Sequence, residues 1–432
     1  MFSRLQWLVL QLSRQMWLRA SAFSVLGILT ALAAIVLKRF IPPELTTQIG
    51  ATAVGSLLNI MASSMLAVTI FSLSTMVAAF GSATSNVSPR ATRLLSADST
   101  AQNALATFVG SFLFSVVGII CLHTGLYGDS GRVVLYAVTL GVLVIIVITL
   151  LRWIDYVLKL GRVGPTSERV EEEATRAIRA RYQRPYLGGV PLTGDGDATQ
   201  APGTAVDAGE IGYVQYIDMG ALQEMADDGD LQVTVHLLPG ELAGPGRPLA
   251  SVTGTDDAET VRKLAGAFNI SAARSFDQDP RLGLCVLAEI ASRALSPAVN
   301  DPGTAIEILS RGARVLAEWS APSTEATDPE EEIQFPRVRV PGVRLDELFD
   351  DFFVAIARDG AATVEVGIQL QKVLHILASI DQPRYRQAAL EQSRSALARC
   401  EGALTLPEDL QRVRDAAGRV AQVAARGTLS AP

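Results

Sequence analysis

Residues 51–80 read ATAVGSLLNIMASSMLAVTIFSLSTMVAAF, and this stretch decides what kind of fold the chain can adopt. It contains neither a charged residue nor a proline. A helix rises about 1.5 Å per residue, so about 20 apolar residues cross a hydrocarbon core roughly 30 Å thick. The stretch therefore predicts a membrane-spanning helix over residues 52–80.

Small and hydroxyl side chains recur along this stretch, which distinguishes it from the other apolar runs of the chain. At about 100° per residue, six of its positions fall near one line of the helix surface. They are Ser56, Asn59, Ser63, Ile70, Ser74 and Val77. Lipid offers no hydrogen-bond partner, so such a line must face protein or water. Two interpretations stay open: the line packs closely against another helix, or it lines a pore.

Three more apolar runs have the length of a membrane span. They cover residues 21–37, 103–122 and 133–151. Residues 1–20 place Trp and Arg among leucines, a composition that suits the headgroup region and predicts a short interfacial helix. The fold class predicted for residues 21–160 is an α-helical membrane domain of four transmembrane helices.

Lys and Arg are unevenly distributed over the loops of this predicted domain. One side carries Arg4, Arg14, Arg19, Arg90, Arg93, Arg152, Lys159 and Arg162, whereas the other carries Lys38, Arg39 and Arg132. An excess of Lys and Arg marks the cytoplasmic side of a membrane protein. We therefore expect both termini, and the large second part of the chain, to be cytoplasmic.

The second part is richer in charge and shows short alternating strands followed by amphipathic helices. Residues 161–210 predict a connecting helix and a mobile loop, because the Gly-, Pro- and Asp-rich end of this segment cannot bury a core. Residues 211–342 predict a cytoplasmic α+β domain with a small β-module, and residues 343–432 predict several C-terminal helices.

Two loops of the α+β domain carry polar residues that could meet at a ligand. The candidate ligand-loop residues are Asp277, Asp279, Asn300 and Asp301. Both Asp279 and Asp301 precede a proline and an apolar helical pattern, so each is also expected to cap a helix. Capping and ligand binding both stay open for these residues.

Several function classes find no support in the sequence. The three cysteines and three histidines are scattered without metal-ligand spacing, so no metal and no cofactor is expected. The net charge of -7 and the absence of a basic, aromatic stripe argue against nucleic acid. There is no Gly-rich phosphate loop or nucleophile elbow, and an enzyme is not expected.

Several sequence blocks in the same order resemble a known family. They are SSMLAVTIFSLSTMVAAFGSATSNVSPRATRLL, TFVGSF at residues 107–112, GYVQYID and RALSPAVNDPGTAIEIL. Together they resemble the domain of unknown function 2254 family of predicted bacterial membrane proteins, over residues 21–380. The resemblance implies a protein of the bacterial inner membrane with a cytoplasmic domain. It implies no activity and no catalytic residue.

Two functions fit these observations. The first is an oligomeric ion channel or pore regulated by the cytoplasmic domain, because a hydroxyl- and amide-lined path needs no charged residue in the spans. Four helices alone cannot enclose much water, so such a pore requires a homo-oligomer in the lipid bilayer. The alternative is a membrane-anchored sensor or scaffold whose cytoplasmic domain binds a protein partner or a small ligand.

Overall fold

The computed structural model describes residues 51–91, 99–126, 128–192, 203–320 and 333–426, together with most of residues 21–33. The chain divides into two compact units, with the boundary between Thr166 and Ser167. We call residues 2–166 the membrane unit and residues 167–432 the α+β unit.

The described part of the membrane unit contains three long helices, because its apolar runs satisfy every backbone hydrogen bond within the helix. These helices are α1 (Ala51–Asn86), α2 (Ser99–His123) and α3 (Gly128–Lys159). Helix α2 is the most enclosed: 56% of its most apolar window is buried, against 22% for each of the other two. Helix α2 is therefore the core of the described part of this unit.

Three of the four predicted spans are confirmed as candidate membrane helices. They cover Thr52–Ser82, Thr100–His123 and Gly131–Lys159. The predicted span over residues 21–37 is helical at each position that is described between residues 21 and 33, and its remainder lies outside the described residues. Four transmembrane helices are therefore not confirmed. The predicted interfacial helix over residues 1–20 also lies outside the described part.

Two cores join the three helices. One lies around Val54 and Leu58 of α1, which pack with Phe114 of α2 and Leu135 of α3. The other is richer in methionine and includes Met61, Met65 and Met76 of α1, Phe108 of α2 and Trp153 of α3. Both cores therefore use the same side of α1.

Helix α4 (Val163–Gln183) carries the chain across the boundary into the α+β unit, as the predicted connecting helix does. Two small sheets follow. Their strands are β1 (Gly189–Pro191), β2 (Thr204–Val206), β3 (Gly212–Ile217), β4 (Gln232–Val235), β5 (Leu242–Ala243), β6 (Ala250–Thr253), β7 (Phe268–Ser271) and β8 (Phe335–Val340).

The larger sheet has five strands in the order β1-β8-β4-β6-β2. Strand β8 runs parallel to both β1 and β4, while β6 runs antiparallel to β4 and β2. Strands β5, β3 and β7 form an antiparallel three-stranded sheet. The predicted mobile loop that ends the 161–210 segment is therefore wrong at both ends, where β1 and β2 form. Their backbone groups are satisfied by distant strands that a local pattern does not reveal.

Eight helices of the described chain complete the α+β unit beyond α4. They are α5 (Met219–Asp228), α6 (Ala258–Ala265), α7 (Leu282–Ala294), α8 (Pro302–Ala317), α9 (Leu345–Asp359), α10 (Val364–Ala378), α11 (Pro383–Ala403) and α12 (Pro407–Arg426). Helices α7 to α12 pack side by side, and Gly312 of α8 leaves room for the ring of Phe352 of α9. The predicted α+β class is confirmed.

Candidate functional site: the outward face of the first described span

One side of α1 is buried by the rest of the membrane unit. The buried residues recur at helical spacing and are Val54, Leu58, Met61, Met65, Ser72 and Met76. At about 100° per residue, these positions cluster within one narrow sector of the helix circumference. The inner face of α1 is therefore almost entirely apolar, and it provides the contacts with α2 and α3.

The predicted polar line lies on the opposite side of α1. We call Ser56, Asn59, Ser63, Ile70, Ser74 and Val77 the polar seam, and all six are exposed. The seam is centred about 180° from the inner face. Ile70 is 59% exposed and Val77 is 64% exposed. The seam therefore does not pack against α2 or α3 of the same chain.

Thr52 extends the polar seam by one turn and was missed in the sequence analysis. It is exposed and lies four residues before Ser56, a separation that places both side chains on one face. The signal that could have found it is its helical spacing: Thr52 lies four residues before Ser56, and Ser56 lies three residues before Asn59. With Thr52 included, polar groups begin at the first residues of the span.

Ser63 and Asn59 of the seam differ in whether their side chains are hydrogen-bonded. The Ser63 hydroxyl donates to the Asn59 carbonyl oxygen at 2.9 Å, so the helix itself satisfies this group. The side-chain amide of Asn59 makes no hydrogen bond within the described part of the chain. A serine satisfied in this way tolerates an apolar environment, but an amide has two N–H donors and an oxygen left over. Asn59 is thus the residue that most requires a polar neighbour.

The polar side chains of α2 are used differently. Thr107 and Ser115 are buried and donate to the carbonyl oxygens four residues earlier, at 2.8 and 2.9 Å. These hydroxyls are enclosed within the unit and satisfied by their own helix. They serve packing, whereas the polar seam of α1 faces outward.

The predicted ligand loops are separated by a helix. Asp277 and Asp279 lie before α7, whereas Asn300 and Asp301 lie after it. The 13 residues of α7 span about 20 Å. The structure brings Asp277 close to Asp279 along the chain, and Asn300 close to Asp301, but it does not bring the two pairs together.

Asp279 is fully buried and has all of its partners within the fold. Its carboxylate accepts from Nε and Nη2 of Arg274 at 2.7 and 3.0 Å, and from the backbone N–H of Arg281 and Leu282. Burial alone lowers the pKa of the Arg274 guanidinium, but the hydrogen bonds and charge of Asp279 raise it above its usual value. Asp279 thus holds the segment that leads into α7, together with a paired arginine. The prediction that it is the N-cap residue is wrong, because α7 begins at Leu282 after Arg281.

The other three residues are exposed. Asp277 accepts from the Ser275 hydroxyl at 2.7 Å. Asp301 caps α8 by accepting from the N–H of Thr304 at 3.1 Å. The hydrogen bond from the Thr304 hydroxyl lowers the pKa of Asp301, since it favours the charged carboxylate. Asn300 has a positive φ of 50°, which asparagine adopts more readily than most residues.

Among the described residues, no group of three His, Cys, Asp or Glu side chains is arranged to hold a metal ion. The outward polar surface of α1 therefore remains the arrangement most in need of an explanation.

Comparisons with known proteins place the chain in a family. Residues 13–375 match the family of predicted membrane proteins DUF2254, and the chain belongs to that family. An uncharacterized protein of Mycobacterium tuberculosis strain H37Rv and one of Mycobacterium bovis are each 26% identical to it over 271 residues. The matched region covers 59% of this chain and 50% of each relative, so the chain matches about half the length of these curated relatives. No solved structure matches it.

Proposed function

We propose that this protein is an oligomeric membrane channel in which the polar seam of α1 from each subunit lines a shared path. The observation that carries the proposal is the position of the seam, exposed and directly opposite the buried face of its helix. The proposal includes a bacterial inner-membrane location with both termini in the cytoplasm, supported by the excess of Lys and Arg on that side.

A lipid-facing seam is the simplest competing arrangement, and Asn59 argues against it. An amide without a hydrogen-bond partner in hydrocarbon costs several kcal/mol. The side chain of Asn59 has no partner within the described residues and lies on the exposed face. A second copy of the chain, or water, supplies the missing partners without any change in the subunit.

We expect the subunits to form a ring, because each subunit presents one outward polar seam. In a cyclic oligomer the same face of every subunit meets the same axis, so one polar face per subunit is sufficient. The described spans have no polar path of their own, because α2 fills the centre of the unit with Phe108 and Phe114. In our proposal the path therefore lies between subunits, on the outward side of α1.

Two seam residues provide the apolar constriction that such a path needs for closure. Ile70 and Val77 lie two turns apart on the same line and are exposed. A narrow ring of branched aliphatic side chains resists wetting, and a hydroxyl at that ring stabilises water. The remaining seam positions carry hydroxyl or amide groups that hydrate an ion without binding it tightly.

Vesicle flux measurements test the proposal with two matched isoleucines. Ile70→Ser should raise ion flux in vesicles reconstituted with the full chain, because it wets the constriction. Ile148→Ser is the control, since Ile148 is a 49% exposed isoleucine on α3, away from the seam. It should leave flux unchanged.

Vesicles that stay tight with a well-assembled Ile70→Ser variant would contradict a pore and favour a membrane anchor. Equal leakage from both variants would also contradict it, because leakage would then reflect a disturbed bilayer.

A further inference from the structure

The α+β unit contains a large cleft that the proposed channel does not use. Its volume is about 1190 Å³, slightly above the range of roughly 300–1,000 Å³ typical of small-molecule sites. Its walls come from the segment around Pro239 and Glu241, and from the starts of α7, α9 and α11. His236, which is 7% exposed, also lines it.

Three arginines line the cleft, and they differ in their partners. Arg281 is paired with Asp351 at 2.6 Å and also with Glu347. Arg344 is paired with Asp346 at 2.5 Å. These carboxylates neutralise both guanidinium groups, and Glu241 and Glu391 add two further carboxylates to the lining.

Arg384 is different from the other two. It lines the cleft, is exposed, and makes no ion pair or hydrogen bond with any residue that the structure describes. Arg386, two residues further along the same helix, is instead paired with Asp381 at 3.0 Å. Among the described residues of the lining, Arg384 is therefore the arginine without a carboxylate partner.

An aromatic pair lies close to Arg384. The rings of Tyr182 and Trp319 meet edge to face with centroids 6.1 Å apart, and both line the cleft. The Gln382 amide donates to the Ser320 carbonyl oxygen at 3.3 Å. This contact joins the start of α11 to the residue after Trp319. The cleft thus combines two aromatic rings with a guanidinium that has no carboxylate partner among the described residues.

The start of α11 also lines the cleft, through Gln382 and Arg384. Helix α11 has 21 residues, and no side chain caps its first turn. Its position is fixed, because the buried Tyr385 hydroxyl donates to the Leu316 carbonyl oxygen at 2.6 Å. Pro383 has no N–H, and the N–H groups of Tyr385 and Arg386 donate to the Gln382 carbonyl oxygen. The helix dipole is therefore the feature of this helix start that favours an anion beside Arg384.

We propose that this cleft binds a small organic anion with a planar ring, of the nucleotide class. The phosphate lies against Arg384 and the first turn of α11, and the base lies against Trp319 and Tyr182. A guanidinium donates two parallel hydrogen bonds to a phosphate, and aromatic rings offer a stacking surface to any base. This site stands whether or not the protein forms a channel.

Calorimetric titration of the detergent-extracted full chain with ATP, adenosine and inorganic phosphate tests the site. We expect ATP to bind most tightly, because it alone occupies both ends. Arg384→Gln should weaken ATP binding about tenfold or more and leave adenosine unchanged, since it removes one charged hydrogen-bonding group. Arg386→Gln is the matched control, because Arg386 is paired with Asp381 and does not line the cleft.

Trp319 gives a second readout within the same protein. It is the only tryptophan after Trp153, so ATP should quench a part of the fluorescence that Trp319→Phe removes. No saturable ATP binding up to about 1 mM, or equal binding by the Arg384→Gln variant, would overturn the site. Phosphate binding as tightly as ATP would overturn the assignment of the base to the aromatic pair.

Discussion

Helices α1 and α3 flank the same central helix, and their outward faces differ in chemistry. The share of the most apolar window that is buried is 22% for each, so both expose about the same fraction of a span. Between Ala137 and Leu151, the exposed residues of α3 carry no hydroxyl or amide, and most are Leu, Val or Ile. The exposed face of α1 carries the polar seam. Equal exposure with unequal chemistry indicates that the two faces meet different surroundings.

The chemistry of the exposed side chains distinguishes a helix surface that faces lipid from one that faces another helix or water. A surface of Leu, Val and Ile matches lipid tails and needs no partner, which describes α3. Small and polar residues at helical spacing are typical of surfaces where a second helix or water approaches. The prediction for each substitution therefore depends on which helix carries it.

The largest expected effect is the difference between a carboxylate placed near the middle of α3 and one placed near the middle of α1. Ile145→Asp puts a charge on the lipid-facing side of α3, which opposes insertion by about 2.5–3.5 kcal/mol. The fraction of chain retained in membranes after alkaline extraction should therefore fall steeply. Ala67→Asp, on the line of the polar seam, should be retained nearly as well as the native chain. Equal loss from both variants would remove the distinction between the two faces.

A smaller effect is expected from the seam amide. Asn59→Leu removes the group that needs a partner and should weaken subunit association by about 0.6–2 kcal/mol. Energy transfer between labelled copies in bilayers measures this change. Asn59→Gln keeps the amide and should retain most of the association. If Asn59→Leu associated as strongly as the native chain, the amide would have no role in assembly.

The smallest effect concerns a hydroxyl on the inner face of α1. Ser72 is fully buried, and its hydroxyl has no hydrogen-bond partner in the described structure. Ser72→Ala should leave thermal stability unchanged or raise it by up to about 1 kcal/mol, because it removes an unsatisfied polar group. Thermal unfolding of the detergent-extracted protein measures this. A clear loss of stability would show that the hydroxyl is bonded, and the inner face would then resemble the outer one more closely.

Sequence reasoning was most successful where the cause of a structure is local. Span length and the absence of charge predicted spans over residues 52–80 and 133–151, and both lie within the candidate membrane helices Thr52–Ser82 and Gly131–Lys159. Asp301 next to Pro302 predicted a helix start, and its carboxylate does cap α8. Periodicity also placed the seam residues on one line. It could not show that this line faces outward, since that depends on how α2 and α3 pack.

What sequence reasoning missed depends on contacts between distant segments. Strands β1 and β2 have three residues each, too few to show an alternating pattern. The buried pair of Asp279 with Arg274 is hidden behind a capping motif that explains the aspartate without it. The cleft combines Tyr182, Trp319 and Arg384, whose proximity no local spacing could indicate.

The position of β8 in the larger sheet has a consequence for biogenesis. Strand β8 lies between β1 and β4 and pairs with both, yet it is synthesised roughly 150 residues after β1. At about 5–20 residues per second, the ribosome takes on the order of ten seconds or more to reach it. During that interval β1 and β4 lack their shared neighbour, and their open edges can pair with the wrong chain. Chains that end before Val340 should therefore reach the membrane and still aggregate through an incomplete sheet.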